Sequence, residues 1–282
     1  MRKDTQMIDK KVKWPNGAQI AVMLTFDFDA ETLWLSRDPE NARRPGTLSQ
    51  GVYGAKVGVP KILEVLDEYG LKGTFFVPGW TAEKYTDRAE MIVRAGHEVA
   101  HHSYSHKWVH PDHPDQEVEE MERGLEALKR TIGVVPRGYR SPAGETSDNL
   151  IRLLQKHDFL YDSSLLDDVV PYRMELPDGS RGPIELPWHW STDDAPHALF
   201  AIKSPRPIFP NSHILQVFQD EFRELYRWGG LYNLVMHPQV TGRPSRIALL
   251  REMIAWIQRF PNVWFATGSE VAEAWAAHHE NA

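Results

Sequence analysis

Gln19 to Asp29 reads Q-I-A-V-M-L-T-F-D-F-D, a near-continuous apolar run rich in β-formers that turns acidic only in its last residues. A strand buried on both faces reads this way. Working outward, a Pro/Arg/Gly-containing loop is expected over Asn41 to Gly54. A helix follows over Val57 to Tyr69, with Val59, Ile62, Leu63, Val65 and Leu66 at helical spacing and Gly70 as its C-cap. The alternation then continues as strand Gly73 to Val77, helix Ala82 to Ala95 stopped by Gly96, strand Glu98 to His102, and helix Gln116 to Ile132 stopped by Gly133. Strand Arg137 to Ser141, helix Asp148 to His157 and strands Leu160 to Ser163 and Ile184 to Trp188 come next. The chain closes with helix His213 to Trp228 ending at Gly229 and Gly230, strand Tyr232 to Met236, helix Arg246 to Phe260 and strand Val263 to Ala266.

About eight strands alternating with about seven helices predict an α/β fold of parallel βα units. Periodicity alone fits either an open doubly wound sheet or a closed barrel. The strand ends speak for the barrel: Asp27, Asp29, His102, His106, Arg140, Asp162 and His237 all lie at or just past the C-terminal end of a strand. A (β/α) barrel gathers such ends on one rim. No change of composition divides the chain, so a single domain over 1–282 is expected.

The bulk chemistry narrows the function. The 282 residues carry a formal charge of −7, which argues against a nucleic-acid partner and for a small molecule. Cysteine is absent, so any metal must be held by His, Asp or Glu. No apolar run approaches the ~20 residues of a membrane helix. The polar stretch Met1 to Gly17 lacks the pattern of a secretion signal, which predicts a cytoplasmic protein.

Four clusters carry chemistry. Asp27 and Asp29 sit two residues apart, where strand period points both to one face and their charges demand a cation or a shared proton. An acidic strand end in solvent is the bland alternative. His102 and His106 are spaced i, i+4, so one helical turn in the intervening loop would align two neutral imidazoles, the commonest zinc ligands. Arg140, in Arg137 to Pro142, is a permanent cation suited to holding a carboxylate ionised. His237, at the end of an apolar strand, has the pKa range of a proton donor. His97-Glu98-Val99-Ala100-His101 matches the letters of the H-E-x-x-H protease motif, but Gly96 ends the preceding helix and Val99-Ala100 read as strand. Tyr104 and Lys107 also stand where a metzincin needs Gly and His.

Taken in order, these pieces resemble the polysaccharide deacetylase family over about Gln19 to Val271. Asp27 and Asp29 are similar to its acidic first motif, His102 to His106 to its H-[ST]-x-x-H metal motif, Arg137 to Pro142 to its R-x-x-[FY]-R-x-P motif, and His237-Pro238 to its last. One departure stands out: Phe28 separates two aspartates that the family places side by side. With Gly51 to Gly54 and Glu185 to Asp194, this spaced form resembles the branch of cyclic-imide-hydrolase-like and allantoinase-like enzymes, which also holds some peptidoglycan deacetylase-like proteins. The resemblance implies a distorted (β/α) barrel and a divalent cation on Asp29, His102 and His106, zinc first, with manganese, cobalt or nickel as alternatives. It further implies Asp27 as general base, Arg140 as its counter-ion, His237 as proton donor, a backbone N–H near Tyr139 or Arg140 for the oxyanion, and a homo-oligomer.

The expected substrate is a small cyclic imide or ureide, bound by Tyr139, Trp188, Trp190 and Asp194 under the loop from Leu33 to Tyr53. N-deacetylation of N-acetylglucosamine in peptidoglycan or chitin is the alternative, and a sugar-binding relative without turnover is a third reading.

Overall fold

The computed structural model describes residues 12–176 and 178–279. Nine strands form one sheet among them: β1 Ile20–Asp27, β2 Thr74–Val77, β3 Glu98–His101, β4 Gly138–Tyr139, β5 Tyr161–Asp162, β6 Tyr172–Glu175, β7 Arg181–Glu185, β8 Leu231–Met236 and β9 Val263–Phe265. The order is β6-β7-β5-β4-β3-β2-β1-β8. The strand pairings are parallel except that of β6 with β7.

All eight residues of β1 are buried, as the unbroken apolar run requires. Its one edge is divided lengthwise: β9 pairs with Ile20 to Val22, and β2 with Thr25 to Asp27. The sheet curls until the segment after β7 reaches β8, where an isolated parallel bridge joins Asp193 to Val235 and Asp194 N–H donates to Val235 O at 3.0 Å. A bridge in place of a full strand is what makes the barrel distorted.

Helices cover the sheet, and Val59, Ile62, Val65 and Leu66 of one meet Ile20, Val22 and Leu24 of β1 in the main core. The segment expected as a loop over Asn41 to Gly54 is instead largely helical. Pro45–Tyr53 is an α-helix with proline in its first turn, continuing through a π turn at Gly54–Gly58 into Val59–Glu68. Gly51 helped to hide it, a poor helix former required here for close contact: a Cβ there would lie 2.4 Å from the carbonyl carbon of Ala30. The helix expected over Ala82 to Ala95 is two, Gly79–Lys84 and Thr86–Arg94. Strand β6 and the helix Gly268–His279 had no counterpart in the sequence, while β7 overlaps the strand expected over Ile184 to Trp188 but starts earlier. Among the described residues, no helix is long and apolar enough to cross a membrane.

Candidate active site

Asp27 is the last residue of β1, and Asp29 lies in the turn beyond it, where Ala30 takes φ +51° and the Asp29 carbonyl accepts from the hydroxyls of Thr32 (2.6 Å) and Thr81 (2.9 Å). This pinned turn, not strand alternation, brings the second carboxylate back beside the first. Asp29 is fully buried, and its Oδ1 has no hydrogen-bond partner among the described residues. The Nε2 atoms of His102 and His106 stand 3.5 and 3.6 Å from that oxygen.

The two imidazoles do not meet through a helical turn. Ser103 and His106 have φ +61° and +60°, and the loop is held from outside by buried Glu120, which accepts from Tyr104 N–H (3.2 Å), Ser105 N–H (2.6 Å) and the Ser105 hydroxyl (2.7 Å). Glu120 was not singled out in the sequence, because it looks like any other acid of the long helix Pro114–Ile132. His102 Nδ1 lies 2.6 Å from Arg140 O and His106 Nδ1 3.3 Å from Ser36 Oγ. Those outer contacts leave both Nε2 atoms facing inward, the arrangement by which partners of a metal-binding imidazole fix its tautomer. Burial lowers the pKa of both rings, so they are neutral donors. Asp29, by contrast, is pushed up to about 8, by burial first and by Asp27 in addition, against the opposing charge of His237. Two neutral imidazoles and an orphaned carboxylate oxygen, with ligand atoms within 4.8 Å of one another, are a donor set that fits a divalent transition metal.

Asp27 has the opposite electrostatics. Arg140, 1% exposed, donates to Asp27 Oδ1 at 2.8 Å and is itself fixed by Ser163 O (3.0 Å), Ser163 Oγ (2.9 Å) and Thr25 Oγ1 (3.1 Å). The guanidinium also lies 4.0 Å from the centroid of the Phe76 ring. Burial works to raise the Asp27 pKa, but Arg140, then His102 and His237, outweigh it and hold the carboxyl below its ordinary value. Two acids two residues apart are thus driven in opposite directions, the signature of distinct roles. Ser163 and Asn233, which complete the cradle of Arg140, were missed in the sequence, being common polar residues without a motif.

His237 completes the group, with Nε2 3.8 Å from Asp29 Oδ2. Asp194, expected to bind substrate, instead holds this ring: its Oδ1 is 2.7 Å from His237 Nδ1, and its Oδ2 accepts from His237 N–H (3.0 Å) and Thr241 Oγ1 (2.6 Å). Burial opposes the imidazolium, but the charges of Asp193 and Asp194 overcome it and raise the pKa well above the ordinary histidine value. Asp193, Asp194 and His237 also lie close enough to suggest a metal cluster. Their contacts are already spent on one another and on Ala195 N–H (2.7 Å), so the trio is an ion pair and its support.

Of the other expected site residues, Trp188 and Trp190 line the pocket that holds Asp27, His106, Arg140 and His237. Tyr139 does not: its ring packs against His101 (5.4 Å) and Phe159 (6.0 Å) in a separate small core. Strand alternation explains this, since Arg140 faces the site and its neighbour must face away. The backbone N–H groups near it are also committed, that of Arg140 to His101 O (3.0 Å) and that of Ser141 to Ser164 Oγ (2.9 Å). Of the H-E-x-x-H letters, His101 lies on β3 and bonds Met121 O at 3.0 Å, so that motif forms no site. Another cavity, of about 270 Å³, shares Trp188 but contains none of the acids and imidazoles described here.

The polysaccharide deacetylase family model matches residues 16–161, a little over half the chain. The chain belongs to the polysaccharide deacetylase family. As a member it is a hydrolase acting on non-peptide carbon–nitrogen bonds, in a family of metalloenzymes. Similar proteins include the peptidoglycan deacetylase of Helicobacter pylori, 32% identical over 282 aligned positions that span 90% of this chain and 96% of that one. A solved Mycobacterium smegmatis structure named for the same family is 40% identical, with TM-score 0.91 over 95% of this chain and 93% of the other. A solved allantoinase shares the fold, with TM-score 0.83, 24% identity, and coverage of 95% and 93%. The deacetylase match ends at Tyr161, before Asp194 and His237, so the side of the site that these two form lies in the part of the chain outside it.

Proposed function

We propose that the protein, acting as one catalytic domain, hydrolyses an amide bond of a small cyclic imide or ureide, with a divalent cation, zinc first, held by Asp29, His102 and His106. The observation that carries this reading is the lining of the pocket. Asp27, His106, Arg140 and His237 share a pocket lined by Leu33, Trp188 and Trp190. Apolar and aromatic walls beside a few convergent polar groups suit a small ring.

When bound, the cation supplies Lewis acidity toward the carbonyl oxygen and lowers the pKa of water. Asp27, kept ionised by Arg140, takes the proton from the attacking water. His237, protonated under the charges of Asp193 and Asp194, delivers its Nε2 proton to the departing nitrogen as the C–N bond breaks. One proton is accepted and one donated, and the products are a carboxylic acid, which ionises to solvent at neutral pH, and a free N–H.

A second reading, N-deacetylation of N-acetylglucosamine in peptidoglycan, uses the same groups and is favoured by the 32% identity to the Helicobacter pylori peptidoglycan deacetylase. The two are separated by a paired assay on chelated and then zinc-reconstituted protein, with succinimide and hydantoin rings against N-acetylglucosamine oligomers. Turnover of rings supports the first reading, and turnover of sugars alone replaces it with the second. No turnover despite stoichiometric bound metal points to a binding protein.

A further inference from the structure

The reaction pocket opens into an outer cavity of about 580 Å³, and the two share Arg37, Ala143, Trp190 and Ala195 as walls. Arg206 joins Arg37 on the outer cavity. Both arginines are exposed, and neither side chain has a hydrogen bond or ion pair among the described residues. Some arginines elsewhere pair with a carboxylate, as Arg94 does with Glu90 and Arg123 with Glu119, and others, such as Arg152 and Arg259, have no ion pair among the described residues; what sets Arg37 and Arg206 apart is that both line one cavity beside the reaction pocket. Even the nearby Lys203 is paired, with Asp38. Glu145 is the acid on the same cavity wall and forms an ion pair with neither arginine.

Arg37 is also crowded. Burial lowers its pKa from the ordinary arginine value, with Asp29 opposing the shift and the positive charge of Arg206 adding to it. Two guanidinium groups near enough to repel, facing a cavity and with no carboxylate in ion-pair contact among the described residues, form a site for an anion brought by a ligand. Their planar forks match a carboxylate. Half-exposed Trp108 (49%) and Trp190 (41%) on the same walls offer aromatic faces to the ligand's body.

We propose that Arg37 and Arg206 form a carboxylate-binding arm of the substrate cavity, so that the preferred substrate is an amide or imide bearing a carboxylate away from the bond to be cleaved. The proposal rests on the reading of the inner pocket as the reaction site and deepens it by naming the substrate class. Trp190 and Arg37, common to both cavities, would contact the ligand between its reacting and anionic ends.

The test uses matched pairs on zinc-loaded protein: hydantoin against hydantoin-5-acetic acid, and N-acetylglucosamine against N-acetylmuramic acid. Binding is read by calorimetry and hydrolysis by product release. The wild type should bind a carboxylated member on the order of ten-fold more tightly than its neutral partner, the scale of one charge-assisted contact. Arg206→Ala should erase most of that ratio, Arg206→Glu should invert it, and added salt should shrink it in the wild type. Both substitutions are on the surface, and unchanged melting curves show that folding is not what is being read. Equal affinity for both members of each pair, or a preference untouched by Arg206→Glu, overturns the proposal whether or not either compound is hydrolysed. A preserved binding preference without hydrolysis of any ring or sugar overturns the reaction assignment and leaves the arm standing.

Discussion

Replacing Asp194 by Asn tests whether His237 works as a protonated, held acid. The carboxylate meets three donors: the His237 ring at Oδ1 (2.7 Å), and the His237 backbone N–H (3.0 Å) and Thr241 hydroxyl (2.6 Å) at Oδ2. An asparagine amide has one acceptor oxygen for these two directions. Turned toward the ring, it sets its NH₂ against the His237 N–H. Turned the other way, it sets NH₂ against Nδ1 and forces the proton onto Nε2 of a neutral ring. The first orientation leaves a donor facing a donor in a buried site, a cost of about 1–3 kcal/mol, and the second satisfies every contact only with a neutral ring. Either also removes the negative charge that favours the imidazolium, and a charge-assisted bond is roughly twice as strong as a neutral one. Loss of general-acid help of this kind lowers kcat by about 10²–10⁴, equivalent to about 3–5 kcal/mol in the barrier. Metal content per chain should stay unchanged, since Asp194 is not among Asp29, His102 and His106. The assay is steady-state hydrolysis of whichever ring or sugar turns over, with Asp194→Ala alongside. A folded, metal-loaded Asp194→Asn enzyme with kcat within about three-fold of wild type would refute the role of His237 as the held acid.

Asp27→Asn should abolish turnover while leaving metal bound, measured as metal per chain beside initial rate; retained activity removes Asp27 from the role of base. The His102→Ala, His106→Ala double variant should emerge from dialysis without stoichiometric transition metal, and chelation should silence the wild type to the same degree. Survival of catalysis in both would end the metal reading altogether. A structural prediction concerns the second buried acid pair: burial raises Asp162 from 3.8 to about 6, and burial together with Asp162 raises Glu185 well above its ordinary value. The folded protein therefore holds these protons more tightly than the unfolded chain, and the stability they contribute at low pH is lost as pH rises from about 4 through about 6. Glu185→Gln should flatten that fall, on the order of 2–3 kcal/mol for a two-unit shift, in urea midpoints followed across the window. An unchanged slope would show that the pair does not share a proton.

The buried run of β1, the glycine stops and the polar strand ends are local properties, and they were legible as residues. Gly70, Gly96, Gly133 and Gly229 all take positive φ, where a side chain would strain the backbone, so their reading as helix ends held. The helix Pro45–Tyr53 was illegible for the opposite reason: its Gly51 serves a contact with Ala30 in the turn after Asp29, made by residues the local pattern does not contain. In the same way Glu120, Asn233 and Ser163 carry no motif, and their value comes from which loop or guanidinium the fold sets against them.

By itself the sequence determined the alternation of strand and helix, the absence of thiol ligands, and the inventory of acids, imidazoles and arginine at strand ends, since each follows from side-chain chemistry within a few residues. Tertiary structure alone decided what those groups do. The curl of the sheet puts Asp194 behind His237, Arg140 against Asp27 and Tyr139 on the opposite face, and Arg37 and Arg206 come together on one cavity. Hydrogen bonds and charges act over a few ångströms of space, and distance in space between residues far apart in the chain is the one quantity that local sequence does not encode.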